Sequence, residues 1–153
     1  MLNGYKNNRF SPIGISYGYF SFDEKTALTE IRAEINQDIV IGTFNLQDDL
    51  KIIDFTKKHN FSLKLKEQKM NPFDETNFNV LLLGIYSFIT NISKPILEKD
   101  TLLEYVPTQI MAEYIWSHNF DGFIFDSSQN EDGKNIVLFD YEPEYKNYKT
   151  IKL

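Results

Sequence analysis

Short runs of aromatic and β-branched residues, separated by polar turns, alternate along the chain with apolar segments of helical spacing. Ile15 to Phe20 (I-S-Y-G-Y-F) is bounded by turn-type residues and predicts a short strand. Ser21-Phe22-Asp23-Glu24 then has capping-box spacing, with Ala27, Leu28, Ile31 and Ile35 following at helical intervals, so a helix is expected from about Asp23 to Ile35. Asp38 to Leu46 and Lys51 to Thr56 predict two strands joined by a turn around Gln47 to Asp49. Phe73 to Thr90 has the length and apolar content of a helix, and a second helix, Thr108 to His118, follows Pro107 with Ile110, Met111, Tyr114 and Ile115 at three-to-four spacing. Phe123 to Phe125 and Asn135 to Tyr141 predict strands flanking the polar loop Asp126 to Lys134, and Tyr145 to Leu153 an edge strand. The order predicts an α+β fold, a mixed β-sheet core with flanking helices, in one domain over residues 1–153.

Composition narrows the chemistry. With 42% hydrophobic and 25% charged residues the chain is built to fold, and the absence of cysteine excludes a disulfide framework, a thiolate nucleophile, a Cys-ligated zinc and an iron–sulfur cluster. The formal charge of -6 disfavours an extended nucleic-acid surface, so any anionic ligand needs a local basic site. Met1 to Asn8 has no apolar signal core, and the longest apolar run, Val80 to Leu83, is far short of the roughly 20 residues that span a bilayer. A cytoplasmic protein with no membrane or direct nucleic-acid partner is the expectation. Both arginines of the chain, Arg9 and Arg32, lie in its first quarter.

Several common sites are not encoded. Gly14 to Gly18 lacks the G-x-G-x-x-G spacing and precedes a strand, and no P-loop occurs. His59 and His118 stand alone and read as surface or helix-end residues, so no metal is expected from them. Asp126 to Gly133 superficially resembles a calcium loop but has Glu131 where glycine is required, and reads as a polar turn. Asn91-Ile92-Ser93 matches a glycosylation sequon by chance.

What remains is a spaced set: Arg9, Tyr19 and Glu30 near the start, Ser127 and Asn135 near the end. Taken singly, each is ordinary: Glu30 lies off the apolar face of its helix, Tyr19 fits core packing, Arg9 a surface charge and Ser127 a turn. Their joint spacing is not. Asn8-Arg9-Phe10-Ser11-Pro12-Ile13-Gly14 through Tyr19, with Thr26-Ala27-Leu28-Thr29-Glu30-Ile31-Arg32, resembles the hallmark block of the RES domain, a family named for Arg, Glu and Ser. Tyr105-Val106-Pro107-Thr108-Gln109, Phe120-Asp121-Gly122-Phe123-Ile124-Phe125-Asp126-Ser127-Ser128 and Asn135-Ile136-Val137-Leu138-Phe139-Asp140 follow in family order.

The resemblance implies a fold similar to ADP-ribosyltransferase toxins. It also implies degradation of NAD⁺ by a bacterial toxin neutralised by an Xre-type antitoxin, with water or inorganic phosphate as co-substrate and no bound cofactor. Alternatives are transfer of ADP-ribose to a protein and a shortened, non-catalytic interaction module. By motif position Arg9, Tyr19, Glu30 and Ser127 match the family's active-site residues, and Gln109 and Asn135 recurrent positions at the substrate. Phe125 stands where the family usually has tyrosine, and only eight residues precede Arg9 where RES domains commonly carry an earlier strand with another arginine, so the resemblance implies a domain lacking an N-terminal segment. The residue types suit the chemistry. Breaking the nicotinamide–ribose bond develops positive charge on the sugar that a Glu30 carboxylate can stabilise, a guanidinium fork suits a pyrophosphate, and Tyr19 offers an aromatic face to nicotinamide.

Overall fold

The computed structural model describes residues 8–46, 49–56, 84, 87, 88, 90, 102–140, 144 and 146–152. In chain order these form β1 (Gly18–Ser21), α1 (Glu24–Glu30), β2 (Asp38–Thr43), β3 (Ile52–Asp54), α2 (Leu102–Ser117), β4 (Gly122–Asp126), β5 (Lys134–Leu138) and β6 (Asn147–Lys152). The fold is α+β, as the pattern predicts. A four-stranded sheet has the order β1-β5-β4-β3, antiparallel except for the parallel β3–β4 pair, and β2 pairs antiparallel with β6 in a separate two-stranded sheet. His59, the sequon at 91–93 and most of the helix expected over 73–90 lie outside the described residues; Gly84, Ser87, Phe88 and Thr90 within that helix are helical.

Three expectations are corrected. The strands on either side of residues 47–49 are not partners: β3 joins β4, bringing Ile53 and neighbouring Phe55 onto the aromatic core, whereas β2 joins the C-terminal strand. Helix α1 starts one residue later and stops five earlier than expected. Its N-cap is Asp23, whose carboxylate accepts the Thr26 amide at 2.8 Å and the Thr26 hydroxyl at 2.6 Å; these bonds hold its pKa below the usual carboxylate value. Ser21, the expected cap, is instead the last residue of β1, where it faces Asn135 of β5. The helix ends in a Schellman turn: Ala33 N–H donates to the Leu28 carbonyl and Arg32 N–H to that of Thr29, with Arg32 at φ 50°. Helix α2 begins at Leu102, before Pro107, which sits inside it and removes one backbone donor near its start.

Strand alternation makes the main sheet two-sided. By register, Tyr17, Tyr19 and Ser21 share one face with Phe123, Phe125, Asn135, Val137 and Phe139. At one end of that face Phe123 and Val137 are fully buried and pack with Phe10, Phe88, Ala112 and Ile115. At the other end the same row becomes polar, with Ser21 against Asn135, and helix α1 delivers Glu30 there. The core thus grades into the site along one sheet face.

Tyr17 is buried in this core against Phe139, ring centroids 4.8 Å apart, and its hydroxyl has no hydrogen-bond partner among the described residues. Burial, with smaller contributions from the Glu113 and Tyr19 charges, pushes its pKa from 10.0 up to about 12. The folded chain therefore holds this proton more tightly than the unfolded one. Its contribution to stability is complete below pH 10 and is lost as pH rises through about 12. Tyr17→Phe should stabilise the protein by about 1 kcal/mol at neutral pH, because a buried unsatisfied hydroxyl is removed. Urea titrations at pH 8 and at pH 11 should show the advantage widening at the higher pH; an advantage that narrows there would contradict this assignment.

Candidate active site

Glu30, the last residue of α1, places its carboxylate at the polar end of the sheet face. Ser127 Oγ–H donates to Glu30 Oε1 at 2.6 Å and Asn135 Nδ2–H donates to the same oxygen at 2.7 Å. Ser21 Oγ–H donates to Asn135 Oδ1 at 2.7 Å, which fixes the amide with its NH₂ toward Glu30. Ser127 and Asn135 are buried, while Glu30 is exposed. Among the described residues the hydrogen bonds to Glu30 fall on Oε1, so that oxygen is clamped.

Ser127 is itself held by the loop after β4. Its hydroxyl accepts the Gln129 and Asn130 amides, both at 3.1 Å, its own N–H donates to the Gly133 carbonyl, and Asn130 Nδ2–H reaches Thr26 Oγ1 at 2.8 Å. A side chain at Gly133 would meet Thr26 Oγ1 at 2.4 Å, so glycine is needed for the loop to lie this close to the first turn of α1. The loop read as a polar turn is thus the latch that carries Ser127 to Glu30.

Arg9 is positioned from the other side. Gln109 Nε2–H donates to the Asn8 carbonyl at 2.8 Å and lies 3.4 Å from that of Ser11, and the Thr108 hydroxyl meets the Arg9 carbonyl. Tyr19 OH accepts the Phe10 amide at 3.2 Å and bonds Ser11 Oγ at 3.0 Å, and its ring stacks on Phe10. Although 40% of Tyr19 is exposed, this hydroxyl end is desolvated, which raises its pKa; the bonds from Ser11 and Phe10 and the Arg9 charge pull it partly back. Tyr19 therefore offers its ring to the cleft, and its hydroxyl is committed to the Arg9 segment.

Two cavities meet at Glu30. A cleft of about 480 Å³ is lined by Tyr19, Glu30, Phe125 and Asn135 from the main sheet and α1, and by Ile39, Ile41 and Phe44 from β2 and the residues after it. A smaller one of about 190 Å³ is lined by Arg9, Glu30, Arg32, Ser128 and Gln129. The structure thus brings Glu30, Ser127, Asn135 and Tyr19 together and adds Arg9 across Glu30. Gln109 lines neither cavity and acts on the Arg9 segment. Phe125 is buried against Phe10 at 5.4 Å and shows the remainder of its ring to the large cleft. His118 sits at the exposed end of α2, with Nδ1 2.8 Å from the Tyr114 carbonyl.

Sequence reasoning missed Ser21, Thr26, Asn130 and the β2 wall. The first three are ordinary caps and turns until the chain closes over about a hundred positions. The β2 run of Ile39, Val40 and Ile41 was legible as an apolar strand, and its place on the cleft wall follows from tertiary packing.

A comparison with family profiles matches the RES domain over residues 2–151. The chain belongs to the RES family. No curated protein and no solved structure gives a match. The RES match takes in every site residue above, and in space Glu30 and Ser127 are hydrogen-bonded. Among the described residues no helix is long and apolar enough to cross a membrane.

Proposed function

We propose that this RES protein consumes NAD⁺ by breaking the bond between nicotinamide and ribose, as the toxin of a toxin–antitoxin pair restrained by an Xre-type partner. The observation that carries the reading is the clamped Glu30 carboxylate, with Oε1 taken by Ser127 and Asn135, on the lining of a cleft of about 480 Å³. That volume lies within the usual 300–1,000 Å³ of small-molecule sites.

As the glycosidic bond stretches, the pair of electrons leaves with neutral nicotinamide and positive charge spreads over the ribose C1″ and ring oxygen. A fixed carboxylate beside that carbon lowers the barrier because its attraction grows toward the transition state. Tyr19 and Phe125 supply aromatic surface to the departing ring, and the β2 wall keeps bulk water from one side. Water or inorganic phosphate then takes the ADP-ribosyl group at C1″; with water, the proton lost can pass to Glu30.

Chromatography of NAD⁺ incubated with the purified chain, with and without phosphate, tests this. ADP-ribose identifies hydrolysis, ADP-ribose-1″-phosphate appearing only with phosphate identifies phosphorolysis, and NAD⁺ persisting in both conditions would overturn the proposal. Asn135→Ala should lower kcat about tenfold with little change in KM, because one charge-assisted hydrogen bond to the carboxylate is lost. Since Asn135 acts through Glu30, adding it to Glu30→Gln should cost almost nothing more; a full further tenfold loss would assign Asn135 a separate role.

A further inference from the structure

The smaller cavity has a composition unlike the rest of the molecule. The chain carries 16 basic residues and a formal charge of -6, and only two of the 16 are arginines, yet both arginines line this one pocket of five residues. Ser128 and Gln129 add neutral hydrogen-bonding groups, and Glu30 is the single acid among the described lining residues, so that lining carries two guanidinia to one carboxylate. At about 190 Å³ it is smaller than the usual range for whole small molecules and has room for roughly six waters at ~30 Å³ each, the space of one charged substituent.

We infer that the Arg9–Arg32 pocket is a phosphoryl-binding subsite, with Arg32 as a second guanidinium beside Arg9, reached from the same Glu30 that borders the large cleft. Two planar forks suit phosphate oxygens in a way that fourteen lysines elsewhere do not. Arg32 is carried there by the backbone. It is the left-handed residue of the turn that ends α1, where glycine is the usual choice, and it lies two positions after Glu30. A cation near a helix C-terminus also answers the helix dipole, but a lysine does that equally well, and glycine would relieve the backbone.

The inference deepens the proposed function and rests on it only for the identity of the ligand. The phosphoryl group could belong to the dinucleotide's own diphosphate or to free orthophosphate. Arg32→Gly is the clean variant, because glycine suits the turn and the fold should survive with a melting temperature no lower than that of the wild type. Arg32→Lys keeps the charge and removes the fork.

Calorimetric titration with inorganic pyrophosphate, ADP-ribose, orthophosphate and adenosine should show pyrophosphate and ADP-ribose binding about tenfold more weakly to both variants, with the wild-type affinity falling as salt rises. Adenosine binding should not change. Orthophosphate binding to protein already saturated with ADP-ribose would assign the pocket to the free ion, and exclusion by ADP-ribose would assign it to the dinucleotide. Pyrophosphate and ADP-ribose affinities unchanged in Arg32→Gly, or no binding of either to wild type, would overturn the subsite. NAD⁺ turnover measured in parallel separates the two ideas. Arg32-dependent pyrophosphate binding without turnover sinks the function and leaves the subsite, while turnover with unaltered KM and affinity in Arg32→Gly does the reverse.

Discussion

Glu30→Gln should lower kcat for NAD⁺ cleavage by about 10²–10³-fold, some 2.7–4 kcal/mol of transition-state stabilisation, while KM changes by no more than a few-fold. The substitution is nearly isosteric. Its amide oxygen can still accept from Ser127 and Asn135, so the clamp on Oε1 survives, and what changes is the charge: a neutral NH₂ group in place of Oε2. In the ground state the positive charge is delocalised over the nicotinamide ring, whereas in the oxocarbenium-like transition state it moves onto C1″ and the ring oxygen beside the carboxylate, so the loss should fall on kcat. Steady-state kinetics beside a melting curve decides it. A variant that keeps more than a tenth of wild-type kcat would mean that the carboxylate only latches α1 to β5 and the loop after β4. An unchanged melting temperature with the activity gone places the charge in the chemistry.

The largest effect on stability is expected at Phe123. Its side chain is fully buried, and its ring centroid lies 5.1 Å from that of Phe10, 5.8 Å from those of Phe55 and Phe88, and 5.9 Å from that of Phe139. Phe123→Ala should cost about 3–5 kcal/mol by urea denaturation, from lost burial and from the cavity left among stiff rings that cannot close over it. Against the 5–15 kcal/mol typical of a domain, that is enough to leave much of the population unfolded at 37 °C. Phe22→Ala, 53% exposed, is the control and should cost under about 0.5 kcal/mol. A Phe123→Ala loss below about 1 kcal/mol would show that this aromatic cluster is not what holds the main sheet. Activity should fall with the fold, because Phe10 joins the cluster to the Arg9 segment and to the Tyr19 ring.

The two predictions divide the molecule at the sheet face it shares. From Phe139 and Val137 to Phe125 the row is apolar and contributes stability; from Asn135 and Ser21 onward it is polar and positions Glu30. Burying Ser127 and Asn135 is tolerable because each has hydrogen-bond partners, and those partners include the carboxylate that the proposed reaction needs.

Much of this was legible from residue order. Aromatic and β-branched runs located β1 to β6, since each run is a local pattern that pays off on any pleated surface. The spaced blocks pointed to the RES family, and the family match over residues 2–151 bears out that resemblance; the structure brings Glu30, Ser127 and Asn135 into hydrogen-bond contact. The sequence erred where two local solutions compete. Ser21 and Asp23 both suit the start of α1, and Asp23 takes the cap because Ser21 is held in β1 against Asn135. Ile31 and Ile35 continue a helical period, yet the chain turns at Arg32, and they stand 60% and 82% exposed.

By itself, then, the sequence determined the α+β class and the approximate strands and helices, because propensity and periodicity act within a few residues of one another, and the spacing of its motif blocks pointed to the RES family. Only the tertiary structure decided which sheet β2 and β3 would join, that Ser127 and Asn135 would meet on one oxygen of Glu30 from 97 and 105 positions away, and that both arginines would share a pocket. Such contacts depend on register and chain closure, which no local pattern carries.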